Sequence, residues 1–372
     1  MGWADGLFSN VAAQAQQATP PSGAASPAGG APIAVKPVGY DWPHVGGEIL
    51  ATAFSSDGQT ALSVNSDALI KFWDIQTGTM VRSIDRDIKI VAAAFFENKK
   101  VALARSWDGN NTIHILNMIT GEEKETLVGH TGGITTLSFS PDGEWILSGG
   151  MDHSLVLFGG EYGEPMRRFE GNKKEIKTVV FSPNREWIAS SSADKKITIW
   201  NTRTGEVQLA FKPHKKDVNA IAFSPDGRLI LSGGLDTVKP ASVFSVKLWD
   251  LSKKSWWRLS KKPITIFGEH QAEITTAAFS PDGKFVLSGD RSGKLKMWEI
   301  ATGKEVRTFE ENQGEIRTAA FSFDGKLLVT GGEGKLNLWD MTGENKLKPG
   351  AVPSKGGVPA KGGKPGKKGK KR

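Results

Sequence analysis

One pattern recurs seven times in this chain, and it limits the possible folds more than any other feature. In each copy an apolar run ends on Phe, a tight turn follows, often Ser-Pro-Asp-Gly, and a second apolar run comes next. The Phe residues that align the copies are Phe54, Phe95, Phe139, Phe181, Phe223, Phe279 and Phe321. A period of about 42 residues with several strand signals per copy is typical of a β-propeller.

The copy at residues 214–250 shows how each unit reads as strands. The runs Val218 to Phe223 and Leu229 to Leu231 flank a turn in which Pro225 pre-sets φ and Gly227 accepts a positive φ. A third run, Val243 to Trp249, alternates as a strand should, and a fourth strand is expected in the next segment. Such a unit cannot bury both faces alone, so neighbours must stack radially and close a ring. The sequence predicts an all-β, seven-bladed β-propeller with four-stranded antiparallel blades.

Composition divides the chain into three parts. Residues 1–32 are rich in Ala, Gly, Pro, Gln and Ser, and we expect a disordered N-terminal extension or linker. Residues 33–348 carry the repeats, and residues 349–372 form a Lys-, Gly- and Pro-rich tail that we also expect to be disordered. We expect Ile33 to Tyr40 to be the outer strand of the last blade, so that the start of the chain pairs with its end and leaves no open edge.

The basic charge of the chain is concentrated in its tail. The net charge is +8, yet residues 345–372 contain nine Lys, one Arg and no acidic residue, so the rest is slightly acidic. A flexible Lys-rich tail can bind nucleic acid or another polyanion weakly and without base readout, or it can serve for solubility alone. No run approaches the length of a membrane span, no basic leader is present and there is no Cys, so we expect a cytoplasmic protein without a membrane partner.

The repeats resemble those of the WD-repeat (WD40) family over residues 33–348. The resemblance rests on the dipeptides Trp73-Asp74, Trp249-Asp250 and Trp339-Asp340, on Gly129-His130 and on the turn described above. The uniform turns look most like those of bacterial members. The resemblance implies a non-catalytic scaffold that binds a protein or peptide on one rim of the propeller, either as a monomer or as a subunit of a complex.

Membership would also imply a buried hydrogen-bonded tetrad of Asp, His, Ser or Thr, and Trp in each blade. Two units match it fully, with His44, Ser63, Asp67 and Trp73 in the first and His214, Ser232, Asp236 and Trp249 in the fifth. The sixth unit offers Ser292 at the Asp position, with Asp290 two residues earlier, and the second unit, which has no tetrad, diverges most.

Ser, His and Asp recur together once per unit, which favours a structural network over a catalytic triad, because an active site occurs once per chain. No His pair has metal-ligand spacing, and no phosphate-binding loop is present. We therefore expect no enzyme activity, no cofactor and no metal.

In the family, side chains shortly after the tetrad His project at the rim. Those that we assign to partner binding here are Glu48, Lys89, Glu175, Lys177, Asp217, Glu273, Glu315 and Arg317. Five are acidic, and a ring of carboxylates would attract a Lys- or Arg-rich partner. The alternative is that these are ordinary charges on solvated turns.

The fifth unit is longer than the others because it holds two insertions. One lengthens the loop around Thr237 to Phe244, and the other brings together basic and aromatic residues. The members of this possible secondary patch are Lys253, Lys254, Trp256, Trp257 and Arg258. Paired Trp among cations could stack nucleobases, which together with the tail makes a nucleic-acid-associated protein the alternative function, and a eukaryotic nuclear location the alternative to the cytoplasm. A longer outer hairpin packed on its neighbour would explain the same residues.

Overall fold

The computed structural model describes residues 33–35, 37–38, 40, 42–43, 46–97, 99–107, 109–159, 164–237, 243–251, 262–309 and 314–343. The expected N-terminal extension (1–32), the basic tail (349–372), His44 and the secondary patch around Trp256 and Trp257 lie outside these residues.

All regular secondary structure in the described part of the chain is β-strand, and no helix there could cross a membrane. The strands, in chain order, are β1 Ile33–Val35, β2 Trp42–Pro43, β3 Ile49–Phe54, β4 Thr60–Asn65, β5 Ile70–Asp74, β6 Met80–Ile84, β7 Ala92–Phe96, β8 Lys100–Trp107, β9 Asn110–Asn117, β10 Glu123–Val128, β11 Ile134–Phe139, β12 Trp145–Gly150, β13 Leu155–Gly159, β14 Pro165–Phe169, β15 Ile176–Phe181, β16 Trp187–Ser192, β17 Ile197–Asn201, β18 Val207–Phe211, β19 Val218–Phe223, β20 Leu229–Thr237, β21 Val243–Asp250, β22 Thr265–His270, β23 Ile274–Phe279, β24 Phe285–Asp290, β25 Leu295–Glu299, β26 Glu305–Phe309, β27 Ile316–Phe321, β28 Leu327–Gly332 and β29 Lys335–Asp340.

These strands form seven sheets, which we number as blades 1 to 7. Blades 1 to 6 begin with β3, β7, β11, β15, β19 and β23 and take four consecutive antiparallel strands each; blade 7 consists of β27 to β29 and β2. The first strand of every blade is the inner one, and inner strands of neighbouring blades contact each other around the ring. The predicted seven-bladed propeller is confirmed.

Neighbouring blades interlock where a glycine of the second strand leaves room for a branched side chain of the next blade. A Cβ on Gly149 would lie 2.5 Å from Cγ2 of Ile176, and one on Gly331 would lie 2.7 Å from Cγ2 of Ile49. Both distances are below any ordinary carbon contact, so a larger residue would push the blades apart. The repeated Gly-Gly pairs lie at the ends of these second strands, where the packing needs the space.

The ring closes between blade 7 and blade 1, and the N-terminal segment covers the junction. Trp42–Pro43 pairs antiparallel with β29, and Val38 N donates to Leu338 O at 2.7 Å. The expectation of a single outer strand from Ile33 to Tyr40 is wrong in one respect: Ile33–Val35 pairs parallel with β26 and adds a fifth strand to blade 6. The segment thus ties blade 6 to blade 7 as well as completing blade 7.

A stack of three aromatic rings joins this segment to blade 1. Trp42 is fully buried, with its ring centroid 5.4 Å from that of Tyr40 and 5.5 Å from that of Trp73. Trp42 Nε1 donates to Gly78 O at 2.9 Å, and the Tyr40 hydroxyl donates to Ile75 O at 2.9 Å. A buried indole with a satisfied N–H contributes both apolar burial and a hydrogen bond, so Trp42 fixes the segment to two blades at once.

Replacing Trp42 should weaken ring closure. We expect Trp42→Ala to lower the free energy of unfolding by about 3–5 kcal/mol, because it empties a large buried site. Trp42→Phe keeps an aromatic ring but loses the hydrogen bond. The lost hydrogen bond should lower the free energy of unfolding by about 1 kcal/mol, in addition to any loss from poorer packing. Urea denaturation followed by circular dichroism measures both. A Trp42→Ala protein as stable as the parent would show that this segment does not hold the ring.

Candidate partner-binding face

We call the side of the ring that carries the connections between blades and the turns between second and third strands the upper face, and the opposite side the lower face. On the upper face a repeated hydrogen bond holds each connection on a turn. Met151 N donates to Gly133 O at 2.7 Å, Ala193 N to Glu175 O at 3.0 Å and Arg291 N to Glu273 O at 2.8 Å. The bond from Ser66 N to Glu48 O repeats it in blade 1. These bonds place the rim residues directly above the blades.

Beneath the rim of blade 5 lies a complete four-residue network. His214 Nδ1 lies 3.0 Å from Asp236 Oδ1, His214 Nε2 lies 2.9 Å from Ser232 Oγ, and Trp249 Nε1 donates to Ser232 Oγ at 2.9 Å. Lys247 adds an ion pair to Asp236. Every polar atom of the network has a partner, which is what burial of polar groups requires.

Blade 6 carries an equally complete network, in which Asp290 and not Ser292 is the acid. Asp290 is fully buried, and its Oδ2 lies 2.8 Å from His270 Nδ1. His270 Nε2 and Trp298 Nε1 both reach Ser288 Oγ, at 2.7 and 2.9 Å. Ser292 donates to Asp290 Oδ1, so it supports the carboxylate from the turn. The spacing of the other units places Ser292 at the Asp position, but in the structure the acid is Asp290, at the end of the second strand.

The remaining blades hold parts of the network. In blade 3, His130 lies 3.0 Å from Asp152 and 2.7 Å from Ser148, with the ring of Phe158 in the Trp position. In blade 1, Trp73 Nε1 donates to Ser63 Oγ at 3.1 Å.

The Asp67 of blade 1 forms an ion pair with Lys89 on the connection to blade 2. In blades 4 and 7, the Trp200 and Trp339 indoles donate at 2.9 Å to Ser190 and Thr330.

Above blades 6, 7 and 1 the rim carboxylates form a chain of ion pairs. Arg317 contacts Glu48 at 2.8 Å and Glu315 at 2.9 Å, and Arg291 contacts Glu315 at 3.2 Å and Glu273 at 3.3 Å. Two guanidinium groups therefore bridge three carboxylates across successive blades. The expectation of an acidic ring that focuses negative potential is corrected for this half of the rim, because the arginines largely neutralise it.

Glu315 is the least accessible member of this chain. Its side chain is 8% exposed, and burial raises its pKa although Arg317 and Arg291 act to lower it. A buried carboxylate that contacts two arginines is part of the architecture, and it offers little surface to a partner.

The other rim residues differ in how they are engaged. Lys177 pairs with Glu175 at 2.6 Å inside blade 4, and Lys89 is held by Asp67. Asp217 lies half-buried on the connection that enters blade 5. Sequence reasoning missed Arg291, although it directly follows the second strand of blade 6, at the place of Met151 in blade 3.

The long hairpin of blade 5 lies on the same upper face. Its strands, β20 and β21, extend to Thr237 and from Val243, and Lys215 N on the neighbouring connection donates to Leu235 O at 2.9 Å. Residues 238–242 at its tip lie outside the described residues. Blade 2 has a comparable long hairpin, β8 and β9. Within the described ranges, no three His, Cys, Asp or Glu side chains meet in a way that could hold a metal ion.

Comparison of the sequence with known protein families finds a match to one family model. The family model "WD domain, G-beta repeat" matches residues 40–74, 121–158, 163–201, 205–238, 261–299 and 303–340. These segments cover more than half of the chain, and most of blade 2, the unit without a tetrad, falls in the unmatched stretch.

Several curated proteins are similar to parts of the chain. An anaphase-promoting complex subunit, cdh1, from Dictyostelium discoideum is 33% identical over 24% of this chain and 12% of its own length. Protein FIZZY-RELATED 2 from Arabidopsis thaliana is 32% identical over 33% and 23%. U3 small nucleolar RNA-associated protein 21 from Saccharomyces cerevisiae is 28% identical over 28% and 11%. The chain thus matches a quarter or less of each relative, and all three are eukaryotic, which leaves the likeness to bacterial members without support.

Two substitutions in the blade 6 network test directly whether Asp290 or Ser292 is the partner of His270. Asp290→Ala removes the partner of His270 and two backbone hydrogen bonds, from Ser292 N and Lys294 N, and should lower the free energy of unfolding by about 3 kcal/mol. Ser292→Ala removes one bond near the surface and should cost less than about 1 kcal/mol. Thermal and urea denaturation compare the two variants, and equal losses would contradict the assignment of Asp290.

The blade 5 carboxylate should make stability depend on acid pH. Burial alone would raise the pKa of Asp236, but hydrogen bonds from His214, Lys247 and Ser245 outweigh it and lower the pKa from 3.8 to about 2. Because the folded-state pKa is depressed, the stabilisation is present above pH 4 and disappears as the pH falls towards 2.

Asp236→Asn should therefore be less stable than the parent by about 2 kcal/mol at neutral pH, with the gap closing near pH 2. Urea midpoints at a series of pH values measure the gap. The exposed Asp226→Asn serves as the control for net charge, and a gap that stays constant with pH would refute the ionised network.

Proposed function

The chain belongs to the WD40 repeat family, and from this premise we propose that it is a non-catalytic scaffold that binds a protein or peptide partner on its upper face. WD40 propellers typically act as protein-interaction scaffolds. The names of two relatives refer to an anaphase-promoting complex and to a small nucleolar RNA, so those proteins belong to or associate with larger assemblies. For this chain we propose the same general role, as a subunit of a complex.

One observation carries the proposal: the residues that differ from blade to blade are gathered on the upper face, above networks that repeat. Repeated residues such as Ser232 and Ser288 are buried and are fully engaged within their blades. On the upper face, by contrast, Met151 is 41% exposed beside Gly132 and Gly133, where a Cβ would meet the Met151–Asp152 turn. An exposed Met beside a bare backbone suits an adaptable apolar contact.

We propose the same rim residues for partner binding, and the structure divides them by the accessibility of their side chains. Glu48 and Lys89 have exposed side chains at the rim, and Glu175, Asp217 and Glu273 are half-buried there. Lys177, Arg317 and Glu315 lie deeper and would act by holding their neighbours in place.

A second candidate function is association with nucleic acid. The ten positive charges of residues 345–372 and the similarity to a small nucleolar RNA-associated protein favour it. Tail binding of this kind would depend steeply on salt and would not involve the blades.

Mutations on the upper and lower faces should decide whether partners bind the upper face. We expect Met151→Trp with Asp217→Trp to remove partners recovered by affinity capture from the native cell, because a large ring at each position obstructs the upper face whatever the charge of the partner. The matched control is Ile119→Trp with Glu122→Trp in a lower-face turn of blade 2, where Ile119 is 70% exposed. Quantitative mass spectrometry compares both with the parent. Loss of partners only in the lower-face variant would overturn the proposal.

A further inference from the structure

The upper face of blades 4 and 5 carries a positive surface that is distinct from the ion-pair chain on the opposite half of the rim. Three Lys-Lys pairs lie on consecutive connections and turns: Lys173-Lys174 before blade 4, Lys195-Lys196 in its upper turn, and Lys215-Lys216 before blade 5. We call these six residues the lysine sector.

Backbone and side-chain hydrogen bonds bring the first two pairs together. Ser192 Oγ donates to Lys174 O at 3.0 Å, and Asp194 accepts from Lys173 N at 3.4 Å and from Lys196 N at 3.0 Å. The connection that bears one pair therefore rests on the turn that bears the next.

The third pair occupies the same level of blade 5. Lys215 N and Lys216 N both donate to Leu235 O, at 2.9 and 3.3 Å. The inner strands of blades 4 and 5 are neighbours, so the three pairs form one continuous region of the rim.

The charges of the lysine sector are not neutralised within the described part of the chain. None of the six ammonium groups there forms an ion pair, whereas Lys89 and Lys177 do. Lys173, Lys174, Lys215 and Lys216 are exposed. Glu175 is engaged by Lys177, which leaves Glu170, Asp194 and Asp217 as the nearby acids, so six cations face three carboxylates.

We propose that the lysine sector binds an acidic segment of a protein partner, a peptide rich in carboxylates or phosphoserines; this rests on the proposed function and names the chemistry of the partner. Exposed ammonium groups lose little hydration on meeting such a chain, and several act together. The partner predicted here is opposite in charge to the Lys- or Arg-rich one that the sequence suggested.

An acidic peptide fits this region better than a nucleic acid does. Single-stranded nucleic acid is usually held by aromatic side chains that stack on its bases as well as by cations. The described aromatic residues of blades 4 and 5 up to the long hairpin are all buried or half-buried, and the half-buried Trp187 and Phe211 pack against the apolar cluster between these two blades. The sector thus offers charge without a stacking platform.

The test uses the full-length protein and a Glu-rich peptide that carries a central photo-crosslinker. At low salt we expect crosslinks to residues 172–177, 193–196 and 213–217, mapped by mass spectrometry. A variant with Lys173→Gln, Lys174→Gln, Lys215→Gln and Lys216→Gln should lose these crosslinks about tenfold, because four exposed charge contacts are removed. A phosphoserine peptide should behave in the same way.

The matched control neutralises four exposed lysines at or near the lower face: Lys124→Gln, Lys284→Gln, Lys304→Gln and Lys326→Gln. It should crosslink like the parent, and crosslinks to the basic tail should be equal in all three proteins. Crosslinks confined to the tail, or equal loss in both variants, would overturn the proposal.

An oligouridine probe that crosslinks to the sector more efficiently than the peptides would also overturn it, in favour of a nucleic-acid surface. If the lysine variant keeps its cellular partners while the variant of Met151 and Asp217 loses them, the lysine sector fails and the proposed scaffold function stands.

Discussion

Contact between blade 7 and blade 1 is the constraint on which the rest of the molecule depends. No blade can bury both faces of its sheet, so one open junction would expose two apolar faces at once. At this junction Ile49 packs where Gly331 leaves room, and the hydroxyl groups of Thr52 and Thr318 lie 3.0 Å apart between the inner strands. The N-terminal segment then covers the joint from outside through Trp42.

A closed ring separates the residues that maintain the fold from those that differ from blade to blade. The networks under the rim satisfy buried polar groups and can recur in every blade. The upper face is free to vary, and it has divided into two regions of different character. On one side Arg291 and Arg317 cross-link carboxylates of successive blades, and on the other the lysine sector leaves its charge available.

The sequence predicts the propeller well because period, turns and strand pattern repeat seven times and reinforce one another. It predicts less well the features that occur in only one blade. Equal spacing points to Ser292 as the equivalent of the Asp in other blades, whereas the hydrogen bond from Asp290 to His270 depends on geometry that the spacing does not contain. Ile33–Val35 is three residues long, and so short a run can pair with any exposed strand edge. The sequence pattern assigns rim charges to each blade separately, whereas Arg317 and Glu48 meet only because the ends of the ring meet.

Hydrogen exchange at a single amide tests ring closure most directly. Val38 N donates to Leu338 O of blade 7 and belongs to no long strand, so its protection reports on the attachment of the N-terminal segment alone. If that segment holds the ring shut, the Val38 amide should exchange only slowly in the native protein, with protection approaching that of the core amides of blade 3. Exchange of Val38 at the rate of an unstructured chain, while the blade 3 amides stay protected, would contradict the account.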